Sequence, residues 1–194
     1  MNYPLTLSFK VMAVAPQFTV TDATGQVLFY VKQKAFKLKE AVTVFADVEQ
    51  TRPVAHILAD RVLDISATYR FQGTDGRPFG ALKRMGLRSF WKAHYEVLRD
   101  GAPIFTIREE NGWIKMLDGM LLQIPILNLL SGYVFNPAYR ITRADGQPLL
   151  RVQKQPAFLE GRFRIERLAP VEPADEALAV LSILMMVLLE RRRG

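Results

Sequence analysis

ALAVLSILMMVLLERRRG, residues 177–194, decides the fold. From Ala177 to Leu189 the one polar side chain is Ser182; Glu190 follows, and then three arginines. A bilayer-spanning helix needs about 20 apolar residues, with a floor near 17. This run supplies thirteen. At ~1.5 Å per residue it reaches roughly 20 Å, short of a ~30 Å hydrocarbon core. No transmembrane span is therefore expected. A helix that is apolar all round must still be covered all round. A flat sheet covers one face of it, whereas a closed sheet covers every face.

The preceding sequence supplies strands for such a sleeve. QVLFYVKQK (26–34) places Val27, Phe29 and Val31 on one face and Tyr30, Lys32 and Lys34 on the other. LDISATYRF (63–71), WKAHYEVL (91–98) and GRFRIER (161–167) alternate in the same way. Period-two alternation marks half-buried antiparallel strands. Turn residues punctuate the runs: DATG at 22–25, TDGRP at 74–78, RDGAP at 99–103 and ADGQP at 144–148. The signals place about twelve strands, near 5–10, 17–21, 26–32, 40–46, 53–59, 63–72, 77–84, 90–98, 102–109, 136–143, 147–153 and 160–167. Residues 18–45 faintly echo 139–168, each reading strand, Asp-containing turn, strand, Ala-Phe turn, strand. Two copies are too few for a solenoid.

The dimensions agree. A seven-residue strand tilted in a barrel wall gives a height of roughly 18 Å, close to the helix length. Twelve strands enclose a lumen wider than side chains alone can fill, and a helix about 10 Å across would plug it. Pro173 suits the first helical turn. Asp175 and Glu176 suit its positive end, and Arg191, Arg192 and Arg193 its negative end. The expected fold is mainly β: a closed antiparallel barrel of about twelve strands around a buried C-terminal helix, 173–191. The 194 residues form one domain, 1–194, that includes an apolar excursion at 112–133. Trp113–Leu122 is read there as a helix.

Composition narrows the function. With 49% apolar and 23% charged residues the chain is ordinary for a globular protein. It has no cysteine, which excludes disulfides and thiolate metal sites. MNYPLTLSFKVMAVAP does not read as a signal peptide, so a cytoplasmic protein, peripheral at most to a membrane, is expected. The net charge of +7 favours acidic surfaces, and simple solubility explains it equally well.

Three stretches resemble the LURP-one-related family of the Tubby C-terminal-like superfamily, which also contains the phospholipid scramblases. They are YVKQKAFKLKEAVTVFAD (30–47), DGRPFGALKRMGLRSFWKAHYEVLRDGAPIFTIRE (75–109) and SGYVFNPAYRITRADGQPLLRVQKQPAFLEGRFRIERL (131–168). The resemblance spans nearly the whole chain, and its motifs are structural. It implies a Tubby-like barrel around a hydrophobic C-terminal helix. With the lumen filled there is no interior ligand cavity, and any binding site lies on the outer wall, at the rims or in the 112–133 excursion. By analogy with the Tubby branch, basic residues outside the barrel would meet phosphoinositides.

No catalytic constellation is assembled. His56 and Asp60 share one strand face without a third metal ligand, and His94 lies on the solvent parity beside Lys92 and Glu96. Glu109 and Glu110 are adjacent and face opposite ways on a strand. No nucleophile elbow, Walker loop or dinucleotide fingerprint occurs, so neither an enzyme nor a cofactor or metal is expected. The better candidates are basic: Lys32, Lys34, Lys37, Lys39, Lys83, Arg84, Arg88 and Lys92, read as outer-wall groups for an anionic surface. The plainer reading is a solvated face kept from aggregating by its lysines. A second candidate is Trp113, Met116, Leu117 and Met120, at helical spacing, as a barrel cap or a partner or membrane contact. These point to a non-enzymatic binding or scaffold module whose partner is anionic phospholipid or an acidic protein rather than nucleic acid. One alternative is a scramblase-like protein with its C-terminal helix inserted in a bilayer; a second, less favoured, is a small-molecule enzyme using His56 or His94.

Overall fold

The computed structural model describes residues 1–10, 17–32, 42–60, 67–85, 93–110, 137–157 and 160–191. The strands are β1 (Leu5–Lys10), β2 (Gln17–Thr21), β3 (Val27–Lys32), β4 (Val42–Phe45), β5 (Pro53–Ala59), β6 (Thr68–Gln72), β7 (Pro78–Arg84), β8 (His94–Arg99), β9 (Ala102–Glu109), β10 (Ala138–Arg143), β11 (Pro148–Gln155) and β12 (Glu160–Arg167). One helix follows, α1 (Pro173–Arg191). The Trp113–Leu122 helix read from the sequence lies outside the described residues.

Each strand pairs antiparallel with its neighbours in sequence, and β1 pairs with β12 to close a twelve-stranded barrel. The closing seam runs in unbroken register from Leu5↔Ile165 to Lys10↔Glu160. Alternation sorts the side chains as expected. Ala67, Tyr69 and Phe71 of the β6 stretch are buried, as are Ala93, Tyr95 and Val97 of the β8 stretch and Phe163 and Ile165 of β12. Arg162 and Arg164 face outward.

The turn chemistry works where it was legible. At the β8–β9 turn Asp100 and Gly101 both have positive φ, +51° and +80°. That pair of values matches the right-handed twist of the flanking strands, and Asp and Gly are the residues that tolerate it.

α1 fills the lumen. Every residue from Leu178 to Leu189 is at most 7% exposed, so the helix is covered on all sides. It packs against the inward side chains of the strands in one continuous core. Its N-terminus enters at the mouth formed by the turns 22–26, 46–52, 73–77, 100–101 and 144–147. There the buried carboxylate of Glu176 binds the Met1 amine (3.2 Å) and Arg167 (3.4 Å). At the opposite mouth Tyr95 Oη donates to Glu190 Oε1 (2.5 Å), and the Arg191 guanidinium lies 4.9 Å over Phe9 and 5.8 Å over Phe18. Among the described residues no helix is long and apolar enough to cross a membrane.

Candidate functional site

Among the described residues α1 fills the middle of the lumen, and on the outer wall charge and register decide what can bind. On β9, Phe105 and Ile107 point inward, which sends Arg108 outward. The register places Arg108 opposite Arg140 of β10, and Arg140 opposite Arg151 of β11. His94 of β8 stands on the other side of Arg108. Three arginines therefore lie side by side on adjacent strands, at Cβ spacings of about 5 Å.

Among the described residues one carboxylate serves two members of this row. Glu110, just past β9, accepts from Arg140 Nε (2.9 Å) and from Arg151 Nε (3.2 Å). Arg108 is exposed and forms no ion pair with a described residue. Like charges directly opposite each other destabilise a sheet, and Glu110 offsets that repulsion for Arg140 and Arg151. Further along the wall Gln153 faces Arg164, and Gln155 faces Arg162. Arg164 binds Glu166 (2.8 Å), and Arg162 binds Glu160.

The residues singled out from sequence fall in several places. Lys32 ends β3, exposed, opposite Gln17. Lys83 points outward on β7, opposite Thr68 and Glu96. Strands β4, β5 and β6 separate the two lysines, so they do not form one patch. Arg84 differs from its expected place on the outer wall. It follows buried Leu82 by two residues and stands opposite buried Tyr95, and its Nη2 has no solvent contact. Strand parity puts it on the lumen side near the helix end. Lys34, Lys37, Lys39, Arg88, Lys92, Trp113, Met116, Leu117 and Met120 lie outside the described residues.

The acid and base candidates that are described make local contacts. His56 Nδ1 pairs with Thr43 Oγ1 (3.3 Å), and Asp60 accepts from the Thr68 amide (2.9 Å). Among the described residues no group of three or more His, Asp or Glu side chains could hold a metal. Glu109 is buried on the lumen side and Glu110 faces out, as their adjacency on a strand requires. Burial raises the Tyr139 phenol well above its ordinary range, and the charges of Glu109 and Glu190 add to the shift. Burial likewise raises Tyr3, followed by the charge of Glu176.

The sequence reading missed the row Arg108, Arg140 and Arg151. The outward parity of each was legible in TIRE, YRIT and LLRV, but which residues stand opposite is set by register between segments far apart in the chain.

A family model described as LURP-one-related matches residues 27–124, about half of the chain. No curated protein and no solved structure matches it.

Proposed function

The chain belongs to the LURP-one-related family, and from that premise we propose that it is a non-enzymatic binding or scaffold module that docks on anionic phospholipid surfaces through basic residues of its outer wall. The carrying observation is the outward row Arg108, Arg140 and Arg151, of which Arg140 and Arg151 share the carboxylate of Glu110. A row of like charges in which Arg108 has no ion-pair partner among the described residues is explained by an anion supplied from outside. A basic side chain near an anionic leaflet contributes about 1 kcal/mol, and the attraction is screened within a Debye length of about 8 Å at physiological salt. Exposed Lys32 adds to the charge of the wall without belonging to the row. In this reading the protein is cytoplasmic and peripheral.

Burial of α1 favours this reading over insertion of the helix into a bilayer, because Leu178–Leu189 leave no face for lipid.

Co-sedimentation with vesicles tests the proposal. Binding is expected to phosphatidylcholine vesicles containing phosphatidylserine and not to phosphatidylcholine alone, and to fall as salt rises. Arg108→Glu should weaken it by about tenfold, the two-charge change at roughly 1 kcal/mol each less screening. Lys32→Glu plus Lys34→Glu should also weaken it. Equal binding to neutral vesicles, or an unchanged Arg108→Glu variant, overturns the proposal.

A further inference from the structure

At the turn mouth, where α1 enters, an apolar cleft of about 500 Å³ opens between the helix and the barrel wall. Phe29, Val54 and Phe79 form one side, and Ala174, Ala177 and Leu181 the other. Its cause is local: two alanines in the first turns of α1 leave a gap that larger side chains would close. Arg99 and Asp100 stand on the rim. The volume lies within the range of ligand pockets, about 300–1,000 Å³.

Two further observations say what the cleft takes. First, the large hydrophobic side chains exposed among the described residues are Val48 (46%), Val54 (37%) and Leu168 (47%), and all three lie at this mouth. Val54 is a lip of the cleft, and Val48 sits in the turn that leads into the same strand, so the apolar surface runs beyond the cavity. Second, the charge of this mouth is opposite to that of the whole chain. Residues 22–26, 46–52, 73–77, 99–101, 143–147 and 167–176 hold nine carboxylates against five arginines and the Met1 ammonium, in a protein of net charge +7. The arginines are largely neutralised in place: Arg52 by Asp47, Arg77 by Asp75, Arg99 by Asp175 and Arg167 by Glu176. Asp175 and Glu176 also offset the positive end of the helix dipole. Asp100, on the cleft rim, has no ion-pair partner among the described residues.

We propose that this mouth binds a lysine- or arginine-bearing peptide segment of a partner protein. An apolar side chain of the segment seats between Ala177 and Phe79, and a neighbouring cation meets Asp100. The surface is separate from the arginine row and does not depend on membrane docking.

Fluorescence anisotropy of the full-length protein with three labelled peptides of equal length tests this. One is built from lysine and leucine, one from lysine and serine, and one from glutamate and leucine. The lysine–leucine peptide is expected to bind, and the other two to bind at least about tenfold more weakly, the effect of one buried apolar anchor or of reversed charge. Ala177→Phe fills the cleft and should cost about tenfold in affinity with no loss of melting temperature. Asp100→Asn keeps a residue that tolerates positive φ and should cost about threefold. Arg108→Glu should leave peptide binding unchanged. Equal binding of the lysine–serine peptide, equal binding of the glutamate–leucine peptide, or an unaffected Ala177→Phe variant overturns the proposal. So does a demonstration by sedimentation that the mouth is already covered by a second copy of the chain.

Discussion

Ser182 sits in the middle of α1 with no exposed surface, and its hydroxyl has no hydrogen-bond partner among the described residues. An unsatisfied buried hydroxyl costs roughly 1–3 kcal/mol, and alanine is the better helix former. Ser182→Ala is therefore expected to stabilise the protein by about 1 kcal/mol, read as a rise in the urea midpoint at unchanged slope. A drop of similar size would mean that the hydroxyl has a partner after all. Gly80 presents the opposite case. A Cβ there would lie 2.6 Å from one δ-carbon of Leu178, 2.7 Å from the other and 3.0 Å from the Leu98 carbonyl oxygen. Gly80→Ala should cost about 1–3 kcal/mol by overpacking. Leu178→Ala leaves a cavity and should cost about 2–5 kcal/mol alone. The double variant should lose less than the two combined, because removing the leucine removes the clash. Strict additivity in a double-mutant cycle would show that strand and helix do not meet there. Ser182 was visible in the sequence as an odd residue in an apolar run. Gly80 was not, because nothing in GRPFGALKR says which helical side chain will come to rest against it.

The β2–β3 and β4–β5 turns are organised by one carboxylate each. Asp22 Oδ1 accepts from Thr24 Oγ1 (2.6 Å), the Thr24 amide (2.9 Å) and the Gln26 amide (3.1 Å), and its Oδ2 accepts from Asn2 Nδ2 (3.0 Å). These bonds, led by the Thr24 hydroxyl, hold the Asp22 carboxyl below its ordinary range against the opposing effect of desolvation. Asp47 is lowered in the same way, chiefly by the Thr51 amide and also by the Arg52 amide, both at 2.8 Å. A lowered folded-state value means that folding favours the ionised form. The stability so gained is present above the unfolded carboxylate value near about 4 and is lost as pH falls through the lower folded value. Asp22→Asn and Asp47→Asn should each be less stable at neutral pH, with a flatter stability profile below about pH 4. Denaturant melts across that range check it, and wild-type slopes in both variants would place the acid sensitivity elsewhere. Elements of this kind were legible: DATG announced the first turn, and strict alternation fixed most strand ends to within two residues. What alternation cannot give is register. Arg108, Arg140 and Arg151 each declared an outward parity, yet their alignment depends on hydrogen-bonded pairing between 102–109, 138–143 and 148–155. Arg84 was misplaced for a related reason. A run of basic residues looks like a surface patch until strand parity assigns every second one to the interior.

Closure and filling are one event at the level of the whole molecule. The seam between β1 and β12 joins residues 5–10 to residues 160–165, so no barrel exists until nearly the entire chain is in place. The wall encloses a lumen wider than its own side chains can fill, and α1 supplies what is missing: Leu178, Leu181, Ile183, Leu184, Met185, Met186 and their neighbours, none more than 7% exposed. Strand pairing without the helix would leave Leu5, Leu7, Val44, Ile57, Phe71, Tyr95, Ile107 and Ile141 facing a space that water must enter. The ten large apolar side chains of Leu178–Leu189 are buried, and at about 1.5–3 kcal/mol each their loss outweighs a domain's usual net stability of about 5–15 kcal/mol. A chain shortened to end before Pro173 is therefore expected to lose its cooperative thermal transition, to bind a hydrophobic dye and to aggregate. The full-length protein should instead unfold in one step, with coincident far- and near-ultraviolet circular dichroism transitions. A shortened chain that stayed soluble and melted sharply would show that the wall closes on its own. The lumen would then be a ligand cavity that the helix only occupies, and the search for function would move from the outer wall to the inside.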